Sequence, residues 1–226
     1  MRQRWRDLLF LHFACDPAEI APMLPPGLSV DTFPDGDGVE RAWVGLVPFM
    51  MRDVRWAFAP RIPGTHTFPE TNVRTYVHRE GKDPGVWFFS LDAANPLAVA
   101  TARVAFALPY FQASMSLARS GDRIEYAGRR GPESYRIHAN LDGTASDPAP
   151  GNLDFFLVER YLLYAYRRGR LMSGRVHHTP YALRSVSTDP LDEALVGAAG
   201  IAVRPFSHQV FSEGVDVEVF PLRTIV

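Results

Sequence analysis

Short apolar runs separated by turn-forming residues recur along the chain and predict a protein built mainly of β-strands. The first run, residues 5–13, predicts a strand. The sequence Asp16-Pro17-Ala18-Glu19 then predicts a helix start, because Asp caps helices, Pro suits the first helical position and Glu can complete a capping box. This helix is short, since Leu24-Pro25-Pro26-Gly27-Leu28 ends it near Met23.

The same pattern predicts most of the remaining chain as strands. They lie at 29–33, 41–48, 72–79, 86–92, 98–108, 112–117, 123–128, 134–141, 177–186 and 216–222. The turns at 80–85 and 129–133 join their neighbours into two hairpins, and the composition of 98–108 also fits a helix. Residues 49–68 contain Pro60, Pro63 and Gly64 and predict a long loop, a kind of segment that is usually functional or mobile.

One long helix is predicted at 154–168. Its start has a capping Asn152 or Asp154, its apolar stripe is helical in spacing, and Arg167-Arg168 suits a helix C-terminus. A second short helix is predicted near 191–196. Predicted strands outnumber predicted helices, and the long helix at 154–168 has predicted strands on both sides. We therefore predict one domain spanning 1–226, of β-rich α+β class.

Composition excludes several classes of function. The 226 residues carry a net charge of −1, so no overall field attracts nucleic acid or an anionic membrane. The single cysteine, Cys15, excludes an internal disulfide and predicts a buried apolar side chain. The N-terminal apolar stretch is too short for a signal peptide or a membrane span. We expect a soluble cytoplasmic protein with no nucleic-acid or membrane partner, and homo-oligomerisation stays open.

The ionisable residues show no strong catalytic or metal-binding motif. The histidines lack metal-ligand spacing, and the adjacent His177 and His178 point to opposite faces of a strand, so we expect no metal and no cofactor. Glu70 stands just before the central hairpin, with Arg74 four residues on. A carboxylate at such a place is more often solvated or ion-paired than catalytic.

The order of several segments resembles the YqjF-like family, in the acetoacetate-decarboxylase-like superfamily. The segments that carry the resemblance are Trp5-Arg6-Asp7-Leu8-Leu9-Phe10, Leu24-Pro25-Pro26-Gly27-Leu28, Ala42-Trp43-Val44-Gly45-Leu46-Val47-Pro48, Phe68-Pro69-Glu70-Thr71-Asn72-Val73-Arg74, Gly85-Val86-Trp87-Phe88-Phe89-Ser90-Leu91-Asp92 and Leu108-Pro109-Tyr110-Phe111. They are specific as a set. The resemblance implies a curved antiparallel sheet or barrel-like core with two or three flanking helices.

The resemblance also implies a site. Arg6-Asp7 resembles the N-R-E of the decarboxylases, Glu70 their Tyr-x-Glu, and Arg103 the Arg of their G-R-E. The sequence Leu91-Asp92-Ala93-Ala94-Asn95-Pro96 resembles their L-D-N-E-P, whereas Pro109-Tyr110-Phe111 replaces the P-K-K whose first lysine forms the Schiff base. Tyrosine cannot form an imine, so this departure excludes decarboxylation by that route.

Two functions are compatible with this pattern. The first is a small-molecule-binding protein for a carboxylate or carbonyl compound, with Arg6, Glu70, Arg103 and Tyr110 around an apolar cavity. The alternative is a non-covalent acid–base enzyme of lyase or isomerase type that uses Glu70 and Tyr110. A structural Arg6–Glu70 ion pair without any ligand stays open beside them.

A borohydride experiment tests the loss of Schiff-base chemistry. The only lysine, Lys82, lies in the predicted hairpin turn 80–85, which we expect at the surface. We expect that acetoacetate and sodium borohydride leave no adduct on Lys82 and that the protein produces no acetone. Intact-mass and peptide mass spectrometry check this, and a trapped adduct on Lys82 would contradict it.

Overall fold

Hydrogen-bonded strands form the body of the protein. The computed structural model describes residues 1–55, 66–202 and 204–225, and these residues form one sixteen-stranded sheet. The strands are β1 (Arg2–Cys15), β2 (Ser29–Val30), β3 (Thr32–Pro34), β4 (Glu40–Arg55), β5 (Phe68–Arg79), β6 (Lys82–Ala93), β7 (Tyr110–Gln112), β8 (Ser114–Ser120), β9 (Arg123–Arg130), β10 (Glu133–Ser146), β11 (Leu162–Arg167), β12 (Arg170–His178), β13 (Leu183–Thr188), β14 (Asp192–Glu193), β15 (His208–Val219) and β16 (Arg223–Thr224).

Four short helices lie among the described residues. They are α1 (Pro17–Ile20), α2 (Pro96–Phe106), α3 (Leu153–Val158) and α4 (Leu195–Ala198), and a 3-10 turn at Ala21–Met23 extends α1. No helix in these ranges combines the length and the apolar character needed to cross a membrane.

The strand order closes part of the sheet on itself. The sheet runs β12-β11-β6-β5-β4-β1-β15, and β12 also pairs with β15, with Val176 opposite Val219. These seven strands therefore form a closed circuit of pairings. From β15 the sheet continues outward through β13, β10, β9 and β8. The pairings of β6 with β11 and with β7 are parallel, so the curved sheet is mixed.

The strand β1 separates two apolar cores. Leu8 and Phe10 pack into the core inside the circuit, whereas Leu9, Leu11 and Phe13 pack into a second core between the circuit and the outer strands. Both faces of β1 are thus buried, which explains why its sequence is a continuous apolar run rather than an alternating one.

Most predicted strands and both predicted hairpins are confirmed. Asp16 caps α1, because its Oδ1 accepts the N–H of Ala18 at 2.8 Å. Glu19 does not complete a capping box: its carboxylate binds the N–H of Ala202 and the guanidinium of Arg204. Cys15 is buried, as predicted.

The long helix predicted at 154–168 is wrong. The helix α3 ends at Val158, and β11 follows as a strand between β6 and β12. The apolar spacing also fits a strand, since Leu163 and Ala165 face inward. The side chain of Glu159 turns away to accept the N–H of Tyr181, and pairing with two neighbouring strands outweighs the local helical preference.

Three further segments differ from their predictions. Segment 98–108, predicted as a strand with a helix as the alternative, is largely helical, and the Oδ1 of Asn95 caps α2 through the N–H groups of Leu97 and Ala98. Of the loop predicted at 49–68, residues 49–55 belong to β4 and Phe68 begins β5, while 56–65 lie outside the described residues. The strand predicted at 177–186 is divided between β12 and β13.

Candidate functional site

A cavity of about 290 Å³ lies inside the closed circuit. Every strand of the circuit contributes to its wall, and the helix α2 covers one side through Leu97, Ala98 and Phe106. Apolar side chains from the seven strands are Leu8, Phe49, Phe68, Leu91, Leu163, Val176 and Val219. The size and apolar walls are those of a site for a small organic molecule.

The strand β5 carries a row of polar side chains into this cavity. Glu70, Asn72 and Arg74 occupy alternate positions, so they point to the same face of the strand. Each is at least nine-tenths buried. The cavity therefore has one polar stripe on an otherwise largely apolar surface.

Glu70 and Tyr110 form a hydrogen-bonded pair in the cavity. The Tyr110 hydroxyl donates to Oε2 of Glu70 at 3.0 Å, and both side chains line the wall. Burial raises the pKa of Glu70 to about 8; the hydrogen bond from Tyr110 opposes this, and the nearby Asp92 adds to it. Glu70 is thus largely protonated at neutral pH and can present an O–H group to a ligand.

The position of Tyr110 follows from the turn after α2. Ala107 adopts a left-handed conformation with φ 51°, which ends the helix and leads the chain into β7. There Tyr110 lies opposite Leu91 of β6, in a parallel pairing that places its ring next to β5.

Arg74 is a buried cation without a carboxylate partner among the described residues. It is 8% exposed, and its Nη2 donates only to the Leu157 carbonyl at 3.3 Å and to the Tyr76 hydroxyl at 3.4 Å. Its Nε is buried without any hydrogen bond, as is Oδ1 of Asn72. These two groups have unused hydrogen-bonding capacity beside the cavity.

The other buried arginine of the cavity is compensated. Arg160 pairs with Asp31 at 2.6 Å, and its guanidinium lies 4.1 Å from the centre of the Phe156 ring. The guanidinium of Arg74 lies 5.6 Å from the ring centres of Phe10 and Tyr76, but unlike that of Arg160 it pairs with no carboxylate among the described residues.

The structure places Arg6 outside the cavity, so the expected convergence of Arg6 with Glu70 and Tyr110 is wrong for Arg6. Its guanidinium binds Asp216 at 2.5 Å and the carbonyl of Val215 at 2.7 Å on the outer face. The reason lies in strand alternation: Trp5 faces the cavity, so Arg6 faces outward. A bulge at Asp7, with φ 53°, then turns Leu8 inward.

Arg103, also predicted as a ligand-binding residue, does not line this cavity. Its Nε donates to the backbone carbonyl of Tyr110 at 2.6 Å, and its guanidinium lies 5.8 Å from the centre of the Phe111 ring. Arg103 is exposed and tethers α2 to β7, so it supports the position of Tyr110 from outside.

Arg74, Asn72 and Arg160 were not predicted as site residues. For two of them a signal existed in the sequence: once Glu70 is placed inside the circuit, period-two alternation places Asn72 and Arg74 on the same face. For Arg160 no such signal existed, because the sequence predicted a helix there.

Comparison with known proteins identifies the family. The model of DUF2071, described as an uncharacterized conserved protein, matches residues 2–216. The uncharacterized protein YqjF of Bacillus subtilis (strain 168) is 37% identical over 229 residues, which cover 99% of this chain and 91% of that protein. The chain belongs to the DUF2071 family.

Solved structures similar to this DUF2071 protein share its fold. An acetoacetate decarboxylase-like enzyme from Sphingomonas wittichii RW1 matches with a TM-score of 0.70 at 14% identity, covering 100% of this chain and 92% of that one. The acetoacetate decarboxylase of Legionella pneumophila subsp. pneumophila str. Philadelphia 1 matches with 0.68 at 14%, covering 100% and 88%. The enduracididine biosynthesis enzyme MppR, complexed with pyruvate, matches with 0.65 at 17%, covering 100% and 91%. At these identities the likeness establishes the acetoacetate-decarboxylase-like fold.

The pKa of Glu70 makes a testable difference to stability. A carboxyl that ionises near 4.5 in the unfolded chain but near 8 in the folded protein favours folding at low pH, and this contribution is lost as pH rises through 8. We expect wild type to lose stability relative to Glu70→Gln between about pH 5 and pH 8, by several kcal/mol at ~1.4 kcal/mol per pKa unit. Urea unfolding at several pH values measures this.

The comparison needs a matched control, for which Glu80→Gln serves, because Glu80 is exposed in the β5–β6 turn. Parallel stability curves for wild type and Glu70→Gln over this range would show that Glu70 is ionised in the folded protein.

Proposed function

We propose that the cavity binds a small organic carboxylate without covalent attachment, and that Arg74 is the partner of the carboxylate group. The observation that carries this proposal is the buried guanidinium of Arg74, which lines the cavity and has no carboxylate within 4.0 Å among the described residues. Burying a charge without an ion-pair partner costs several kcal/mol, so a ligand anion would offset a desolvation cost that no carboxylate of the described residues offsets.

The second polar group of the cavity favours a ligand with an oxygen acceptor. Glu70 and Arg74 stand four residues apart on β5, a Cα separation of ~13 Å in an extended strand. The protonated Glu70 can donate to a carbonyl or hydroxyl oxygen, while Arg74 holds the carboxylate. The largely apolar walls around this polar stripe suit a hydrocarbon chain, so an oxo acid with an apolar chain fits this arrangement.

The comparisons support this class of ligand. MppR, which has the same fold, is described in complex with pyruvate, itself an oxo acid. In this chain the only lysine, Lys82, is exposed at the start of β6 and does not line the cavity, where Tyr110 stands hydrogen-bonded to Glu70. We therefore infer that an oxo acid would be held by hydrogen bonds and not as an imine.

Acid–base catalysis is the second candidate, favoured by the pKa of Glu70. A group with a pKa of about 8 exchanges protons readily near neutral pH, which suits a general acid or base. With Tyr110 bound to Oε2, the Oε1 of Glu70 stands available to move a proton next to a ligand carbonyl.

Calorimetric titration tests the binding proposal. The probes are pyruvate, 2-oxobutanoate, 2-oxohexanoate and 2-oxooctanoate, and we expect the longer chains to bind more tightly because they bury more apolar surface. Arg74→Gln should weaken binding ~10- to 100-fold, since a charge-assisted hydrogen bond contributes ~1.5–3 kcal/mol.

Arg6→Gln is the matched control, because Arg6 lies on the outer face of β1 and should leave the affinity unchanged. Circular dichroism establishes that both variants fold. Equal affinities of wild type and Arg74→Gln for every probe would contradict the role of Arg74.

Deuterium exchange tests the catalytic candidate. We expect wild type to accelerate exchange of the C3 hydrogens of 2-oxobutanoate in deuterium oxide by ~100-fold or more over Glu70→Gln, because general acid–base catalysis contributes on this order. Tyr110→Phe keeps the ring and should show an altered pH profile. Proton NMR follows the reaction, and exchange no faster than in Glu70→Gln at saturating ligand would leave binding as the function.

A further inference from the structure

A chain of hydrogen bonds leads from the protein surface to Arg74. Oδ1 of Asp154 lies 2.6 Å from Nε2 of His208, and Nδ1 of His208 lies 3.0 Å from Nδ1 of His12. Nε2 of His12 lies 2.8 Å from the hydroxyl of Tyr76, to which Arg74 donates at 3.4 Å. Four elements, α3, β15, β1 and β5, supply these five residues.

Burial increases along this chain. The side chain of Asp154 is 37% exposed and that of His208 14%, whereas His12 and Tyr76 are fully buried. The chain therefore has one end in contact with solvent and the other at a residue of the cavity wall.

The donors and acceptors are consistent with only one direction when both histidines are neutral. The carboxylate of Asp154 only accepts, so His208 donates from Nε2 and its Nδ1 accepts. His12 must then donate from Nδ1, which leaves its Nε2 to accept the proton of Tyr76. The Tyr76 oxygen accepts from Arg74, so every donor points toward the surface.

We propose that Tyr76, His12 and His208 form a proton relay that couples capture of a carboxylate at Arg74 to retention of one proton at the His208–Asp154 pair. The proposal rests on the proposed function of the cavity. It adds a mechanism by which the protonation of the surface pair and the binding of the anion favour each other.

The transfer conserves protons. As the carboxylate binds Arg74, one proton from solvent enters the relay at the Tyr76 oxygen, the Tyr76 proton passes to Nε2 of His12, and the Nδ1 proton of His12 passes to Nδ1 of His208. The ligand stays a carboxylate beside Arg74, and His208 becomes an imidazolium beside Asp154. In this state Nε2 of His12 donates to the Tyr76 oxygen, so the O–H of Tyr76 no longer points to His12.

The charges around the relay favour His208 as the resting place of the proton. Burial, then His208 and Arg74, holds the pKa of His12 well below its usual range, so His12 carries the proton only in passing. The guanidinium of Arg160, paired with Asp31, lies 5.3 Å from the Tyr76 ring centre and disfavours a cation there. Asp154 is the acidic partner at the outer end, bound to His208.

Nitrogen-15 NMR of the histidine rings tests the relay without any ligand. We expect His12 to carry its proton on Nδ1 and His208 on Nε2 at high pH. When the pH is lowered, His12 should switch to the Nε2–H tautomer, because a second proton at the outer end of the chain reverses the donors along it. His208→Gln should abolish the switch, while the control His138→Gln, at an exposed position on β10, should leave it unchanged. A His12 tautomer that stays the same across the pH range would overturn the relay.

Calorimetry with 2-oxohexanoate in buffers of different ionisation enthalpy then tests the coupling. In a Glu70→Gln background, which removes the titration of Glu70, we expect net proton uptake of up to about one per ligand bound. His208→Gln should bind the probe about tenfold more weakly and without proton uptake, because a coupling between protonation and binding is reciprocal. Binding with no uptake in the parent would overturn the coupling. Failure of the probe to bind, together with the tautomer switch, would contradict the proposed function alone.

Discussion

The pairing of β12 with β15 is the constraint on which the rest of the structure depends. It joins the two ends of a seven-stranded run, so the inner faces of all seven strands must meet in one enclosed space. A circuit of this size leaves an interior that side chains fill or that holds one small ligand. Because the closure is made by backbone hydrogen bonds, the strands enclose a space whatever side chains line it, and the size of those side chains decides how much of the space stays empty.

Polar side chains on the inner face of the circuit lie in a largely apolar environment. On an open sheet Glu70 and Arg74 would be solvated, but here their neighbours are largely apolar. The two residues respond in opposite ways: Glu70 stays neutral by keeping its proton, whereas an arginine cannot lose its charge. A cation that has no ion-pair partner among the described residues and a neutral acid on the same strand give the cavity a polarity that favours an anion at one end and a neutral oxygen at the other.

The sequence carries the fold more clearly than the site. Alternation and turns predict most strands, and the resemblance places Glu70 and Tyr110, which do meet in the structure. The resemblance does not predict the direction of the Arg6 side chain. Whether Arg6 lies on the same face as Leu8 depends on a bulge at Asp7, and no local sequence pattern predicts that bulge. The helix predicted after Val158 is wrong for a related reason. The apolar spacing of this segment fits a helix and a strand equally well, and only its pairing with β6 and β12 decides between them. The relay is beyond sequence reasoning, since His12 and His208 lie 196 residues apart.

The position of β1 between two apolar cores affects how the cavity can change during evolution. Leu8 and Phe10 form the inner wall, while Leu9 and Leu11 on the same backbone are held by the outer strands. The interior of a protein transmits small displacements because it is close-packed. A substitution in the outer core therefore shifts the inner wall by fractions of an ångström without altering any residue that a ligand touches. The packing of the outer strands thus contributes to the width of the cavity, so ligand preference can change through substitutions at positions that do not line the cavity.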